Sequence, residues 1–200
     1  MPAIASIVEG DGEVEAVPLL IRRLAALLVP ELFLQVPRPV RVKRDKVVKP
    51  GELERAIELA ARQAGRDGAI FILLDADDDC PAELAPGLLA RARQARRDFP
   101  VGLALAKCEY EAWFLASAES LRGQRNLAAD LTSPPDPEKV RGAKEWLSRH
   151  MTGTHAYAET LDQAPLTERF NLQAARRINS FDKCFRELER LLTGLRTASQ

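Results

Sequence analysis

Cysteine and histidine are scarce in this 200-residue chain, at three and two. Cys80, Cys108 and Cys184 are odd in number, far apart and form no CxxC. They read as reduced thiols of a cytosolic protein, which excludes a disulfide framework and a zinc-ribbon site. His150 and His155 stand in a polar stretch without a cysteine partner, which suits surface or loop positions better than metal ligation. No apolar run approaches the roughly 18 residues of a membrane span. Met1-Pro2-Ala3-Ile4 lacks the basic region of a signal peptide, so a cytoplasmic location is expected. Net charge is missing too: 29 Lys plus Arg balance 29 Asp plus Glu. That excludes a histone-like basic coat and an acidic solvating tail. The chain contains no GxxxxGK followed by Ser or Thr, no GxGxxG and no GxSxG. A P-loop ATPase, a dinucleotide fingerprint and a serine-hydrolase elbow are therefore excluded. There is no internal repeat and no low-complexity linker.

What is present is an ordinary globular composition, 46% apolar and 29% charged. Residues 3–8 are a short β-branched run broken by Glu9-Gly10-Asp11-Gly12, a buried strand followed by a turn. Val14, Val17, Ile21, Leu24 and Leu28 then step by three and four, predicting a helix that ends near Pro30 and is either kinked at Pro18 or begins there. Residues 32–36 and 40–42 resemble strand material interrupted by Pro37 and Pro39, which confines it to an edge. Leu53, Ile57, Ala60 and Ala64 mark a helix opened by Pro50-Gly51. Residues 69–74 are apolar without alternation, as a strand buried on both faces requires. A helix over about 82–97, a strand over 101–106 and a helix over 111–121 complete the pattern. Strand–helix alternation over the first 120 residues predicts an α/β fold with a mainly parallel four-stranded sheet. After Gly123 the pattern becomes helical, near 138–149, 166–177 and 180–195, with Asp136 and Ser180 as expected N-caps. The division expected is a core over 1–122 and a helical extension over 123–200, packed as one unit.

In an open parallel sheet, ligands bind beyond the carboxyl ends of the strands. Three acidic groups fall there: Glu9; Asp75, Asp77, Asp78 and Asp79; and Glu109 with Glu111. Clustered aspartates repel one another unless something positive binds. Hard oxygen ligands without His or Cys suit Mg²⁺ or Mn²⁺, whereas a solvated acidic turn is the competing explanation. An EF-hand is excluded, because Cys80 and Pro86 stand where the loop needs Gly and Glu. Trp113, Phe114 and Leu115 lie in an apolar helical stretch and are expected in the core.

The motif Val8-Glu9-Gly10-Asp11-Gly12-Glu13, followed by Leu74-Asp75-Ala76-Asp77, resembles a TOPRIM domain. This is the Rossmann-like, metal-binding module of topoisomerases, primases and nucleases of the overcoming-lysogenisation-defect type. The segment from Lys107 to Ala116 is similar to a motif of a small, uncharacterised bacterial TOPRIM-like family. The resemblance covers about residues 3–120. It implies that Glu9 is a metal ligand or general base, that Asp75 and Asp77 are metal ligands, and that Glu13 holds the metal or its water. It gives Glu111 an acidic catalytic role, with Glu109, and beside them Asp79, as further ligands. Lys107 would neutralise a phosphate. No topoisomerase-type tyrosine is assignable, so strand passage through a phosphotyrosine is not implied.

The expected function is thus Mg²⁺- or Mn²⁺-dependent phosphodiester hydrolysis, as by a nuclease of a bacterial defence or repair system. Contact with nucleic acid is expected from Arg38, Arg41, Lys43, Arg44, Lys46 and Lys49, which face only Asp45 in that stretch, a local net of +5. Arg91, Arg93, Arg96 and Arg97 form a second basic stretch. A charged guard for an edge strand is the alternative explanation. The resemblance also implies an ATPase partner, and a homodimer is the commonest assembly. Two other functions remain open: nucleotidyl or phosphoryl transfer on a small molecule, and a non-catalytic metal-binding regulatory module.

Overall fold

The computed structural model describes residues 1–198. In chain order the elements are β1 (Ile4–Val8), α1 (Asp11–Leu28), β2 (Val40–Arg41), the single turn α2 (Arg44–Val47), α3 (Glu52–Ala64), β3 (Ala69–Asp75), α4 (Pro81–Ala95), β4 (Val101–Ala106) and α5 (Ala112–Ala116). They continue with α6 (Ala143–Arg149), α7 (Ala164–Arg169), α8 (Leu172–Ala175) and α9 (Asn179–Ala198). The four strands are all parallel, in the order β2-β1-β3-β4. Ile4, Val8, Phe71, Leu73 and Ala104 face α1, α5 and α9, while Ala5, Ile7, Ile72, Leu74 and Leu103 face α3 and α4. Covering both faces is why the strand sequences are continuously apolar. No helix among the described residues is long and apolar enough to cross a membrane.

The strand order decides where a crevice opens. From β1 the chain moves outward to β2, and from β3 it moves the opposite way to β4. The carboxyl ends of β1 and β3 are therefore the topological switch point of the sheet, where loops diverge and leave a cleft. Glu9 and Asp75 stand at those two ends. The edge strand β2 shrinks to two paired residues, because Pro37 and Pro39 have no amide to donate. A separate bridge joins Gln35 to Ala3.

Several helices differ from the sequence expectation. α1 starts at Asp11 and runs through Pro18. The helix expected over 111–121 breaks at Ser117 into α5 and a 3₁₀ turn. That over 138–149 is interrupted at Gly142, which takes φ +71°. That over 166–177 splits where Phe170 turns extended and Asn171 restarts α8, its side chain accepting the amides of Gln173 and Ala174. Asp136 occupies an N-cap position, but its carboxylate receives Lys139 Nζ (2.6 Å) instead of cap amides.

Ser180 is not an N-cap either: it lies inside α9 and is buried. Its hydroxyl accepts the Trp113 indole N–H (2.9 Å), and Glu138 caps its amide (2.9 Å). Trp113, Phe114 and Leu115 are fully buried. Trp113 meets Phe181 edge-on at 5.1 Å, and Phe114 meets Phe170 at 5.6 Å. Aromatic pairs of this geometry contribute roughly 0.5–1.5 kcal/mol beyond burial, and they tie α5 to α9 and to Phe170 at the end of α7. Ser180→Ala strands the indole N–H in the core, and a loss of about 1–3 kcal/mol is expected in chemical denaturation.

Candidate active site

The switch-point cleft is a cavity of about 420 Å³. Its walls carry Glu9, Glu13 and Asp75 from the sheet side and Lys144, Glu159 and Gln163 from the helical extension. Arg41, Lys43 and Arg44 close it beside the β2 edge. Glu13 stands at the third position of α1 and turns back over the helix start, where its Oε2 accepts the amides of Glu9 (2.9 Å) and Gly10 (3.0 Å). That capping box satisfies orphan amides and fixes the loop that presents Glu9.

The second half of the site comes from beyond residue 122. Glu111 is fully buried at the start of α5, and its Oε1 accepts Tyr157 Oη (2.7 Å) and Gln163 Nε2 (3.1 Å). Lys144 donates to Glu159 (2.7 Å) at the cavity wall. Glu159–Gln163 is a π-helical turn, a distortion often found at functional sites. It presses against α1 at Gly12, where a Cβ would collide with Gln163 Oε1 and lie 2.8 Å from the Glu159 carbonyl oxygen. Gly12→Val should therefore push this turn off α1. An overpacking cost of about 1–3 kcal/mol is expected, read from the denaturation midpoint.

Burial dominates the electrostatics. Desolvation raises the Glu13 carboxyl to about 7, with Glu111 and Glu9 adding repulsion against its backbone hydrogen bonds. Desolvation likewise lifts Glu111 to about 7, although Lys144 and Tyr157 oppose it. Asp75 is pushed well above the usual carboxylate range by burial and then by Glu13, Glu111 and Glu9. Glu9 rises more modestly, through burial and Asp77, against Arg44. Burial works against the Lys144 ammonium, but Glu111, Glu159 and Asp75 outweigh it and hold the proton on. Among the described residues, six buried polar atoms around the cleft have no hydrogen-bond partner: Glu9 Oε2, Asp75 Oδ1, Glu111 Oε2, Gln163 Oε1, and Nε and Nη1 of Arg44.

Apart from Arg41, Lys43 and Arg44, the other residues singled out from the sequence do not line the cavity. Glu109 faces away from the cavity and caps α6, its Oε2 accepting the amides of Ala143 (2.9 Å) and Lys144 (3.3 Å). Asp79 is exposed and paired with Arg44. Asp77 sits in the turn with φ +50° and bridges to Cys108, near enough to Glu9 to repel its charge. Lys107 is exposed and lines a different groove, beside α4 and α9. In the basic stretch, Arg38 pairs with Glu15, Arg41 with Asp11 and Lys49 with Asp45. Lys43 and Lys46 have no ion pair among the described residues, and Lys43 lines the cavity. Arg91 is a staple, holding Glu54 and three carbonyls at Val47, Val48 and Lys49. His150 stacks on Trp146 and His155 meets Asp162 (3.1 Å). Lys144, Tyr157, Glu159 and Gln163 escaped the sequence argument. Gly12, read from the sequence as part of a turn, lies in the first turn of α1, where its lack of a side chain admits the close approach.

Among the described residues no three His, Cys, Asp or Glu side chains already converge as a metal-ion site. The unpaired oxygens of Glu9, Asp75 and Glu111 are nevertheless hard, anionic donors without nitrogen or sulfur. Their chemistry fits Mg²⁺ or Mn²⁺, and an unsatisfied buried oxygen is where an ion finds a partner. Comparison with known proteins gives no match among curated proteins and none among solved structures. The family model described as a domain of unknown function, DUF4276, matches residues 8–191, which include every cavity residue from Glu9 to Gln163. On that match the chain belongs to the DUF4276 family.

Proposed function

We propose that the protein is a TOPRIM-like phosphodiesterase that uses a divalent cation, with nucleic acid as its substrate. The observation that carries this is the pairing of unmet needs across one cleft. Unpaired carboxylate oxygens of Glu9, Asp75 and Glu111 call for a cation, while unpaired guanidinium nitrogens of Arg44 call for an anion. A metal ion beside a phosphate satisfies both at once. Glu9, Asp75 and Glu111 would hold the ion. When bound it supplies charge neutralisation at phosphorus and a more acidic water.

The remaining chemistry belongs to the chain. Arg44 and Lys43 bind phosphate oxygens at the cavity mouth. The Lys144 ammonium, kept protonated by Glu111, Glu159 and Asp75, stabilises charge that builds on the phosphate. Glu13, lifted to about 7, is poised to take up or release a proton near neutrality. No GxxxxGK followed by Ser or Thr lies in these 200 residues, so any coupled ATP hydrolysis is supplied from outside them.

The test is incubation of the purified chain with single- and double-stranded DNA and RNA, in Mg²⁺, Mn²⁺ or chelator. Cleavage that needs the cation and falls about 10²–10³-fold in Lys144→Met supports the proposal. Absence of cleavage of every polynucleotide with either cation sinks it. The cavity volume, about 420 Å³, lies within the range of small-molecule sites and favours a second reading, phosphoryl transfer on a nucleotide. A thermal shift with mononucleotides and none with oligonucleotides separates the two.

A further inference from the structure

We propose that the free edge of β4 is a docking slot for an extended, apolar segment of a partner protein that carries an acidic residue. β4 is the outer strand of the sheet and pairs only with β3. The ladder phase is set by Ile70 N to the Pro100 carbonyl (2.9 Å) at one end and Ala76 N to the Ala106 carbonyl (2.8 Å) at the other. In a parallel ladder that phase turns the backbone groups of Gly102, Ala104 and Ala106 toward β3 and those of Leu103 and Leu105 outward. Arg190 Nη2 fills the first outward position by donating to the Val101 carbonyl (2.9 Å). The outward amides and carbonyls of Leu103 and Leu105 have no hydrogen-bond partner among the described residues. Polar backbone in an apolar setting strongly favours a partner, and an added strand supplies one at every second residue.

The space beside this edge is a groove of about 640 Å³. Leu103 and Leu105 form its floor, Ala85 and Leu89 of α4 one wall, and Lys183 and Arg186 of α9 the other. Lys107 stands where β4 leaves the groove. Lys183 is held by Glu187 and Arg186 by Asp182, whereas Lys107 has no ion pair among the described residues. Glu138 also lines the groove, but its carboxylate is engaged by the Ser180 amide (2.9 Å) in the first turn of α9, so the charge that asks for complement is positive, at the carboxyl end of β4. An acidic residue of the docked segment belongs opposite it. A second copy of this chain does not fit. Leu103 and Leu105 are only 2% and 4% exposed beneath α4 and α9. Two edges recessed in this way cannot approach to the spacing of paired strands, about 4.8 Å, but a single extended segment can enter.

The probe is a short peptide alternating valine and threonine behind one glutamate, added to the full-length chain. Amide hydrogen exchange is followed by NMR. Without peptide, Leu103 and Leu105 should exchange faster than Gly102 and Ala104. With peptide at ten times its dissociation constant, exchange at Leu103 and Leu105 should slow by about tenfold, and alkylation of the exposed Cys80 at the groove rim should slow with it. A backbone N-methylated peptide, unable to donate, should give neither effect. Ala85→Trp, which fills the groove, should remove both while Gly102 and Ala104 stay protected. No protection by millimolar peptide overturns the proposal. So does protection that rises with protein concentration alone and accompanies a doubled mass, since the occupant is then a second copy.

Discussion

Asp75→Asn is expected to lower the proposed cation-dependent turnover at least about 10²-fold and to raise the melting temperature of the metal-free protein. The two effects share one cause. Asp75 ends β3 at the switch point, where burial and the charges of Glu13, Glu111 and Glu9 all oppose its ionisation. The sheet and α1 leave its Oδ1 without a donor. A carboxylate kept there without a counter-charge costs the folded state free energy, which the near-isosteric amide removes. The same substitution takes away the negative oxygen that a divalent ion needs. Loss of turnover together with a gain in thermal stability would show that Asp75 is retained for binding. A fall in both would instead make Asp75 a structural residue. Scanning calorimetry without metal and initial rates with Mg²⁺ decide between them.

The metal-free protein should also lose stability as pH rises from about 5 to about 7. Glu13 and Glu111 ionise near 4.5 in the unfolded chain but near 7 when folded. Between those values the folded state binds more protons than the unfolded, so stability falls with increasing pH and levels off above the folded pKa. Each group accounts for a loss of order 3 kcal/mol, and because they repel each other the two losses do not simply add. For a chain of this size that is a drop in melting temperature of about 6–12 °C. Glu54, Glu119 and Glu187 work the other way. Their carboxyls are lowered, by Arg91, by Ser133 and by Lys183 with Arg190. Their stabilisation disappears only in stronger acid, so the optimum lies on the acid side of neutrality. Glu111→Gln should flatten the fall, and Mg²⁺ at pH 7.5 should recover much of it. A melting temperature that climbs steadily from pH 5 to 7.5 would refute this account.

Much of the sheet was legible because its strands are short and apolar on both faces. Residues 101–106 and 69–74 needed no tertiary information to be recognised. The position of Glu9 and Asp75 at strand ends was legible for the same reason. The helical tail was harder. Its segments break where single residues are held by distant partners. Phe170 leaves the helix to join Phe114 and Phe181. Ser180 serves Trp113 rather than the start of α9. Asn171, which restarts α8, was a readable signal passed over. Charge counting also leaves out pairing across the fold. Arg38, Arg41 and Arg44 look free in the sequence, yet each meets a carboxylate from another segment.

Period, run length and turn chemistry are local, so the chain alone established a parallel α/β sheet and acidic residues at its carboxyl ends. Which side chains complete the cleft depended on contacts between residues far apart. Glu109 and Lys107 flank Glu111 closely in sequence, but one caps α6 and the other faces a different groove. Gln163 meets Glu111 from the π-helical turn that settles on Gly12, Tyr157 meets it from the stretch before that turn, and Lys144 enters the cavity from α6. A carboxylate's proton affinity follows its desolvation and neighbours, and neither exists until the extension has packed over the sheet.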